Sequence, residues 1–252
     1  MDHDERVRLA GELAQLLLDT HGPAAIAAVG VHGPVARGDD TEESDLDLAV
    51  VTPGPEVQVP DRYLRYRGTV VDLGAIPADA YLEEASAIGP AWPLAADQYV
   101  NQLAVHDPGG FFHKLKHVHE AAVEEAGPEV FAAAAGLDLV QLLSWEARAR
   151  AAELAGDLLT TQVAVKAAAV LAALVVGLLT RTAWPSTGQA LHATAATGVA
   201  GPAFAEAYRR LLDPTAEPAV QVLALGRARD ALLELADRER VPYQADGLAA
   251  FL

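Results

Sequence analysis

The most informative residues of this chain are Gly33-Pro34-Val35-Ala36-Arg37-Gly38 and, after a five-residue acidic loop, Ser44-Asp45-Leu46-Asp47-Leu48. The first run is typical of a glycine turn that leads into a brief helix, and the second begins an apolar strand predicted over 46–52. Residues i and i+2 of a strand point to one face, so Asp45 and Asp47 project together while Leu46 and Leu48 pack behind them. The pattern therefore predicts two neighbouring carboxylates where this strand begins.

A third carboxylate follows in Val71-Asp72-Leu73, inside a strand predicted over 69–76. As a cross-strand neighbour, Asp72 would lie beside the first two carboxylates. Three carboxylates in one place repel each other unless a cation sits among them, and Mg²⁺ prefers such hard oxygen ligands. We therefore expect Asp45, Asp47 and Asp72 to be metal ligands of a phosphoryl- or nucleotidyl-transfer site. The alternative is that Ser44 and Asp45 cap a turn while Asp72 faces solvent.

The remaining pattern predicts an α+β fold: a mixed sheet with helices over residues 1–125, followed by an all-helical domain over residues 126–252. In the first part we expect helices over 4–20 and 77–88 and further strands over 26–31 and 98–105. From residue 111 onward, Ala- and Leu-rich helical segments dominate. They are broken near Gly127-Pro128, Gly156-Asp157, Trp184-Pro185, Gly201-Pro202 and Asp213-Pro214.

Composition limits the class of protein. The chain has 252 residues, 52% of them apolar, and no cysteine, which excludes disulfides and thiolate metal sites. Its longest apolar run, 167–179, is too short to span a bilayer and indicates a buried helix or a subunit contact. The N-terminus MDHDERVRLA is charged from its second residue and does not have the pattern of a secretory segment. These features favour a cytoplasmic location.

The charge of the chain is strongly negative. Asp and Glu total 35 against 18 Lys and Arg, which gives a formal net charge of −17. Such a surface repels phosphate backbones and anionic lipids, so we expect no nucleic-acid partner and no membrane partner. It would attract a polycation. The alternative, that the acidity serves solubility alone, stays open at this point.

The order of glycine turn, Asp-x-Asp strand and later third carboxylate resembles the nucleotidyltransferase superfamily that includes polymerase beta. Within it, the chain is similar to the kanamycin nucleotidyltransferase group, the aminoglycoside 4′-O-nucleotidyltransferases. The stretches that carry this similarity are Asp4-Glu5-Arg6, Val29-Gly30-Val31, Gly33 to Gly38, Ser44 to Asp47, Trp92-Pro93-Leu94, Asp107 to Gly110, and Gly177-Leu178 with Arg181. The resemblance implies Mg²⁺-dependent transfer of a nucleoside monophosphate from ATP or another NTP to the 4′-hydroxyl of an aminoglycoside such as kanamycin or tobramycin. It also implies release of pyrophosphate and a homodimer.

The resemblance assigns roles to individual positions. The metal ligands would be Asp45, Asp47 and Asp72. The nucleotide would be bound by Gly33, Arg37, Ser44, Arg150 and Thr187. The aminoglycoside would be bound by Asp72 and Gln98, and Glu146 would be the general base. Glu146 and Arg150 are spaced i and i+4 and share a helix face, which on its own is also typical of an ordinary surface ion pair.

One residue departs from the superfamily pattern. Pro34 stands where serine is usual, and it lacks both the hydroxyl and a backbone N–H that could cradle phosphate. We therefore expect weakened or altered nucleotide binding with the metal ligands retained. Two other functions remain open. A nucleotidyltransferase that modifies a protein is opposed by the full helical half, and a non-catalytic nucleotide-binding protein is favoured by Pro34.

Overall fold

The computed structural model describes residues 1–244, and they divide into two compact units. The first unit comprises Met1–Ala87 with Ala95–Glu125, and the second comprises Ile88–Leu94 with the chain from Ala126 onward. The chain thus leaves the first unit once, for a short segment, before it returns to complete it.

The elements up to Glu125 include both helices and strands. In chain order they are α1 (His3–His21), β1 (Ala28–His32), α2 (Gly33–Arg37), β2 (Leu46–Thr52), β3 (Arg62–Tyr66), β4 (Thr69–Pro77), α3 (Ala78–Ser86), α4 (Trp92–Ala95), α5 (Asp97–Val100), β5 (Leu103–His106) and α6 (Phe111–Glu125). A capping box between Asp2 and Glu5 begins α1.

The five strands form one mixed sheet in the order β3-β4-β2-β1-β5. Strands β2 and β4 are parallel and the other pairs are antiparallel, which confirms the expected mixed sheet. Strand alternation sends Leu46 and Leu48 into a core with Leu9 of α1. Ala49 lies in the other core, with Tyr81 of α3 and Phe112 of α6. By the same alternation, Asp47 projects on this second face, and Asp45, just before β2, has the same parity.

The second unit is helical. Its elements after Glu125 are α7 (Pro128–Leu154), α8 (Leu158–Thr180), α9 (Thr187–Thr194), α10 (Gly201–Leu212) and α11 (Pro218–Arg238). Proline occupies the first turn of α7, α10 and α11, where a missing N–H costs no helical hydrogen bond. The breaks expected from glycine and proline therefore fall where helices begin and end.

Helices α7 and α8 are long and apolar enough to cross a membrane by length and composition alone. Half of the most apolar segment of α7 and 67% of that of α8 are buried inside the protein, as in core helices. The run 167–179 lies in α8, and Ala168, Val175 and Leu178 are buried there. The exposed apolar side chains of this helix pair are instead Val130, Leu137, Val140, Leu154, Leu158, Leu159 and Val163.

The structure corrects two expectations in the first unit. Strand β3 was not expected, because all five of its residues are exposed and no apolar alternation marks it. The strand expected over 98–105 was placed too early: Asp97–Val100 is the short helix α5, and β5 covers Leu103–His106. The turn of helix ends at Asn101, whose N–H donates to the Asp97 carbonyl.

Candidate active site

Four side chains form a row across the sheet. His32 of β1 lies opposite Asp47 of β2, Asp47 lies opposite Asp72 of β4, and Asp72 lies opposite Tyr63 of β3. Paired residues on neighbouring strands project on the same face, so this row presents two carboxylates flanked by an imidazole and a phenol. The structure therefore places Asp72 directly beside Asp47, and the charge of Asp45, one residue before β2, also acts on Asp47.

Gly33 is required at the turn that approaches this row. Its φ of +70° lies in the left-handed region, and a Cβ added there would come within 2.6 Å of Asp47 Oδ2. Pro34 occupies the first turn of α2, where its missing N–H costs the helix nothing. Pro34 in place of serine is thus compatible with the local fold. It changes only the hydroxyl and N–H groups that could bind a ligand.

Burial and neighbouring charges shift the pKa values of two side chains in this row. Burial, together with the charges of Asp45 and Asp72, raises the pKa of Asp47 to about 6, and Arg37 opposes this shift. Burial also lowers the pKa of His32, which Asp72, Asp97 and Asp45 partly offset. A cation placed among these carboxylates would relieve their repulsion.

The donor set fits a magnesium ion that binds together with its substrate. Within residues 1–244, no group of three or more His, Cys, Asp or Glu side chains is arranged to hold a metal. Asp45, Asp47 and Asp72 therefore do not form a ready three-ligand site, as expected of like charges with no cation between them. Mg²⁺ is commonly held by one or two carboxylates plus substrate phosphates, and Asp45 and Asp47 would be such a pair.

Arg37 is already engaged by carboxylates. It forms an ion pair with Asp97 of α5, both side chains being more than four-fifths buried, and a second pair with Asp39 at 3.2 Å. Asp97 also accepts a hydrogen bond of 2.7 Å from Asn101. Sequence reasoning missed Asp97, since 60 residues separate it from Arg37 and no motif links the two. A phosphate bound by Arg37 would compete with these carboxylates.

Gln98 and Asp72, both expected to bind substrate, line the same cavity. The cavity has a volume of about 290 Å³. Its polar lining comes from His32, Asp61, Asp72, Tyr81, Glu84 and Gln98. Three carboxylates in this wall favour a cationic ligand over an anionic one.

The acidic loop between α2 and β2 is anchored rather than free. Asp40 accepts hydrogen bonds from the buried Arg6, at 2.8 Å, and from His3, at 2.6 Å. Although burial raises the pKa of Asp40, these two hydrogen bonds outweigh it and hold that pKa below its usual range. Ser44, expected to bind nucleotide, accepts a hydrogen bond of 2.9 Å from the Thr41 N–H and so closes this loop.

The second unit holds the expected base and its neighbours. The Glu146 side chain is only 5% exposed, and its Oε1 accepts hydrogen bonds from Arg150 and, at 3.0 Å, from Arg229 of α11. The ion pair between Glu146 and Arg150 is therefore not an ordinary surface pair, because Glu146 is buried and a second arginine binds it. Arg229 lies 83 residues further along the chain, and no motif in the sequence links it to Glu146. Thr187 is exposed at the start of α9, whose N-cap is Ser186.

Comparison with known proteins defines the class of the first unit. Residues 11–88 match the family model of the nucleotidyltransferase domain, a span that contains Gly33, Asp45, Asp47 and Asp72. A solved nucleotidyltransferase-like protein from Exiguobacterium sibiricum shares the fold, with a TM-score of 0.51 at 13% identity over 92% of this chain and 75% of that chain. Residues 11–88 therefore resemble a nucleotidyltransferase domain in sequence and in fold.

Two curated relatives indicate which nucleotidyltransferases this chain is similar to. Two proteins named aminoglycoside nucleotidyltransferase (4′), from Staphylococcus aureus and a Bacillus species, are 26% identical to this chain over 115 residues. The match spans 46% of this chain and 45% of each relative, so the chain matches about half the length of those proteins. These findings confirm the resemblance to aminoglycoside nucleotidyltransferases inferred from the motifs.

Proposed function

We propose that this protein transfers a nucleoside monophosphate from a magnesium-bound NTP, with ATP as the expected donor, to an aminoglycoside hydroxyl. The acceptor is the 4′-hydroxyl of a substrate such as kanamycin or tobramycin, and pyrophosphate is released. The observation that carries the proposal is the row of Asp47 and Asp72, with Asp45 beside it, next to the Gly33 turn in a nucleotidyltransferase domain. The names of the curated relatives supply the substrate class.

The roles of the individual residues are those that the resemblance implies. Asp45 and Asp47 would hold Mg²⁺ together with phosphate oxygens, with Asp72 as the third carboxylate beside them. Magnesium bound there supplies Lewis-acid neutralisation of the phosphates. Gly33 lets the nucleotide approach the turn closely, and Ser44 and Thr187 complete the nucleotide contacts. Arg37 and Arg150 stabilise the charge that develops during transfer.

The acceptor is bound by acidic and amide groups. Asp72 and Gln98 line one cavity, and the formal net charge of −17 speeds the encounter with a polycationic acceptor. Glu146 accepts the proton of the acceptor hydroxyl as general base. This assignment is supported by the resemblance and by the buried, arginine-bound position of Glu146 within its own unit.

We further propose a cytoplasmic homodimer. Exposed Leu154, Leu158, Leu159 and Val163 offer an apolar surface near the α7–α8 connection that supports a subunit contact. Light scattering should give twice the chain mass of 26.4 kDa at micromolar concentration. A monomer under those conditions would contradict the dimer.

Pyrophosphate release tests the activity directly. The purified protein is incubated with ATP and Mg²⁺, and with tobramycin, kanamycin or an aminoglycoside that lacks the 4′-hydroxyl. Release is expected only with acceptors that carry this hydroxyl. Equal release with both kinds of acceptor would contradict the 4′ position. Release that requires a protein acceptor would favour the protein-modifying alternative, and ATP binding without turnover would favour a non-catalytic protein.

A further inference from the structure

Strand β3 extends the carboxylate row to the edge of the sheet. Tyr63 pairs with Asp72, so its side chain leaves the sheet on the same face as Asp72 and Asp47. Asp61, two residues earlier, lines the cavity shared by Asp72 and Gln98, which places this side of β3 at the rim of that cavity. Tyr63 therefore stands at the outer edge of the candidate acceptor site.

The opposite face of β3 belongs to a different environment. Arg62, Leu64 and Tyr66 line an apolar cavity against α1, where they contribute to the packing of that side of the sheet. The Tyr63 ring is 74% exposed, against 40% for Tyr66. A large aromatic side chain that contributes so little to the core is available to bind a ligand.

The chemistry around Tyr63 selects the kind of ligand. Asp61, Asp72 and Glu84 make the neighbouring cavity acidic, which favours a cation over the polyanionic triphosphate. An aromatic face attracts ammonium groups and packs against the apolar faces of sugar rings. An amino sugar combines both features, so an exposed phenol beside these carboxylates suits it.

We propose that Tyr63 is a specificity-determining residue whose ring packs against an amino-sugar ring of the acceptor. The inference rests on the proposed function and deepens it, because it names a residue outside the motifs that selects ring-shaped, cationic acceptors. The phenol oxygen is not needed for this contact, since the ring face supplies it.

Three substitutions at two positions of β3 test the proposal. Tyr63→Ala should raise the KM for tobramycin about tenfold, the scale of a lost cation–π contact, with kcat and the KM for ATP within about twofold of the parent. Tyr63→Phe keeps the ring and should restore the parental KM. Tyr66→Ala, three residues away on the opposite face, is the matched control and should leave all three constants unchanged.

Binding measured without turnover separates this inference from the proposed function. Calorimetry with tobramycin alone should show the same tenfold loss of affinity in Tyr63→Ala and none in Tyr66→Ala. A parent that binds tobramycin without turnover would defeat the proposed activity, while a loss confined to Tyr63→Ala would still support the contact. An unchanged affinity in Tyr63→Ala, a rise in the KM for ATP alone, or a parent that does not bind tobramycin would each overturn it.

Discussion

Glu146 and the arginines on its Oε1 offer a test at the scale of single residues. Glu146→Gln keeps the size of the side chain but cannot accept a proton, so kcat should fall about 10²–10⁴-fold with ATP binding unchanged. Arg229→Ala removes one of the two donors that orient Glu146 and should lower kcat roughly tenfold, without changing the KM for ATP. Arg229→Lys should recover part of that loss. Steady-state kinetics with ATP and tobramycin measure all three.

The double variant shows whether Arg229 acts through Glu146. If it does, adding Arg229→Ala to Glu146→Gln should cost nothing further, because the group being oriented is no longer a base. Arg209→Ala, an exposed arginine on α10, serves as the control and should keep parental kinetics. Independent losses that add up, or parental kinetics in the Glu146 variant, would contradict the assignment.

The sequence predicts those site residues whose positions depend on local spacing. Asp45 and Asp47 share a face because strand side chains alternate, and Asp72 adjoins them because apolar runs on both strands fix the register. Asp97 and Arg229 could not be found this way. Each meets its partner through a contact between distant segments, 60 and 83 residues apart, and neither lies in a motif.

At the scale of elements, a buried ion pair fastens the acidic loop to α1. The side chains of Arg6 and Asp40 are 1% and 2% exposed, whereas those of Arg67 and Glu12 are 56% and 48% exposed. Arg6→Ala leaves the buried Asp40 carboxylate without one of its two partners and should lower the free energy of unfolding by about 3 kcal/mol. Arg67→Ala, the matched control, should cost less than about 1 kcal/mol. Urea denaturation compares them, and equal costs would contradict the anchoring role.

Helix α7 carries a carboxyl group that should make stability depend on pH. Asp138 is buried, its Oδ2 has no hydrogen-bond partner among residues 1–244, and burial raises its pKa to about 6. The folded state then binds the proton more tightly than the unfolded chain, so the free energy of unfolding falls as pH rises from about 4 to about 6. The loss is about 3 kcal/mol, from about 1.4 kcal/mol per unit of pKa shift.

Asp138→Asn removes this ionisation. The variant should lose that part of the pH dependence and be more stable than the parent above about pH 6, as measured by urea denaturation across pH. Asp19→Asn, an exposed site on α1, is the control and should follow the parental curve. Identical curves for Asp138→Asn and the parent would show that the Asp138 carboxyl is not desolvated in the folded protein.

Helices and strands could be predicted from the sequence where one side is buried, because apolar residues then recur at a regular spacing. Strand β2 has the bounds expected from its apolar run, Leu46–Thr52, because nearly every residue in it is buried. Strand β3 is exposed along its whole length and owes its place to pairing with β4, so local periodicity could not reveal it. The segment Ile88–Leu94 joins the second unit through tertiary contacts, such as the hydrogen bond from the Trp184 N–H to the Pro93 carbonyl.

In the whole molecule, the proposed function requires an acidic protein to bind a basic substrate and a metal-bound nucleotide. The formal net charge of −17 should make the encounter with a polycation depend strongly on salt. Half of the most apolar segment of α7 and 67% of that of α8 are buried inside the protein. Under the proposed function, charge favours a cationic partner, while apolar burial stabilises the second unit.

The substitution Asp47→Asn tests whether the carboxylate row performs nucleotidyl transfer. Pyrophosphate release with ATP, Mg²⁺ and tobramycin is measured for the parent, for Asp47→Asn and for Asp79→Asn, an exposed control at the start of α3. Removing one of three like charges should not destabilise the fold. We expect Asp47→Asn to keep the parental melting temperature and lose turnover, with the control fully active. Turnover within about tenfold of the parent, at an unchanged melting temperature, would contradict the role of Asp47 as a metal ligand.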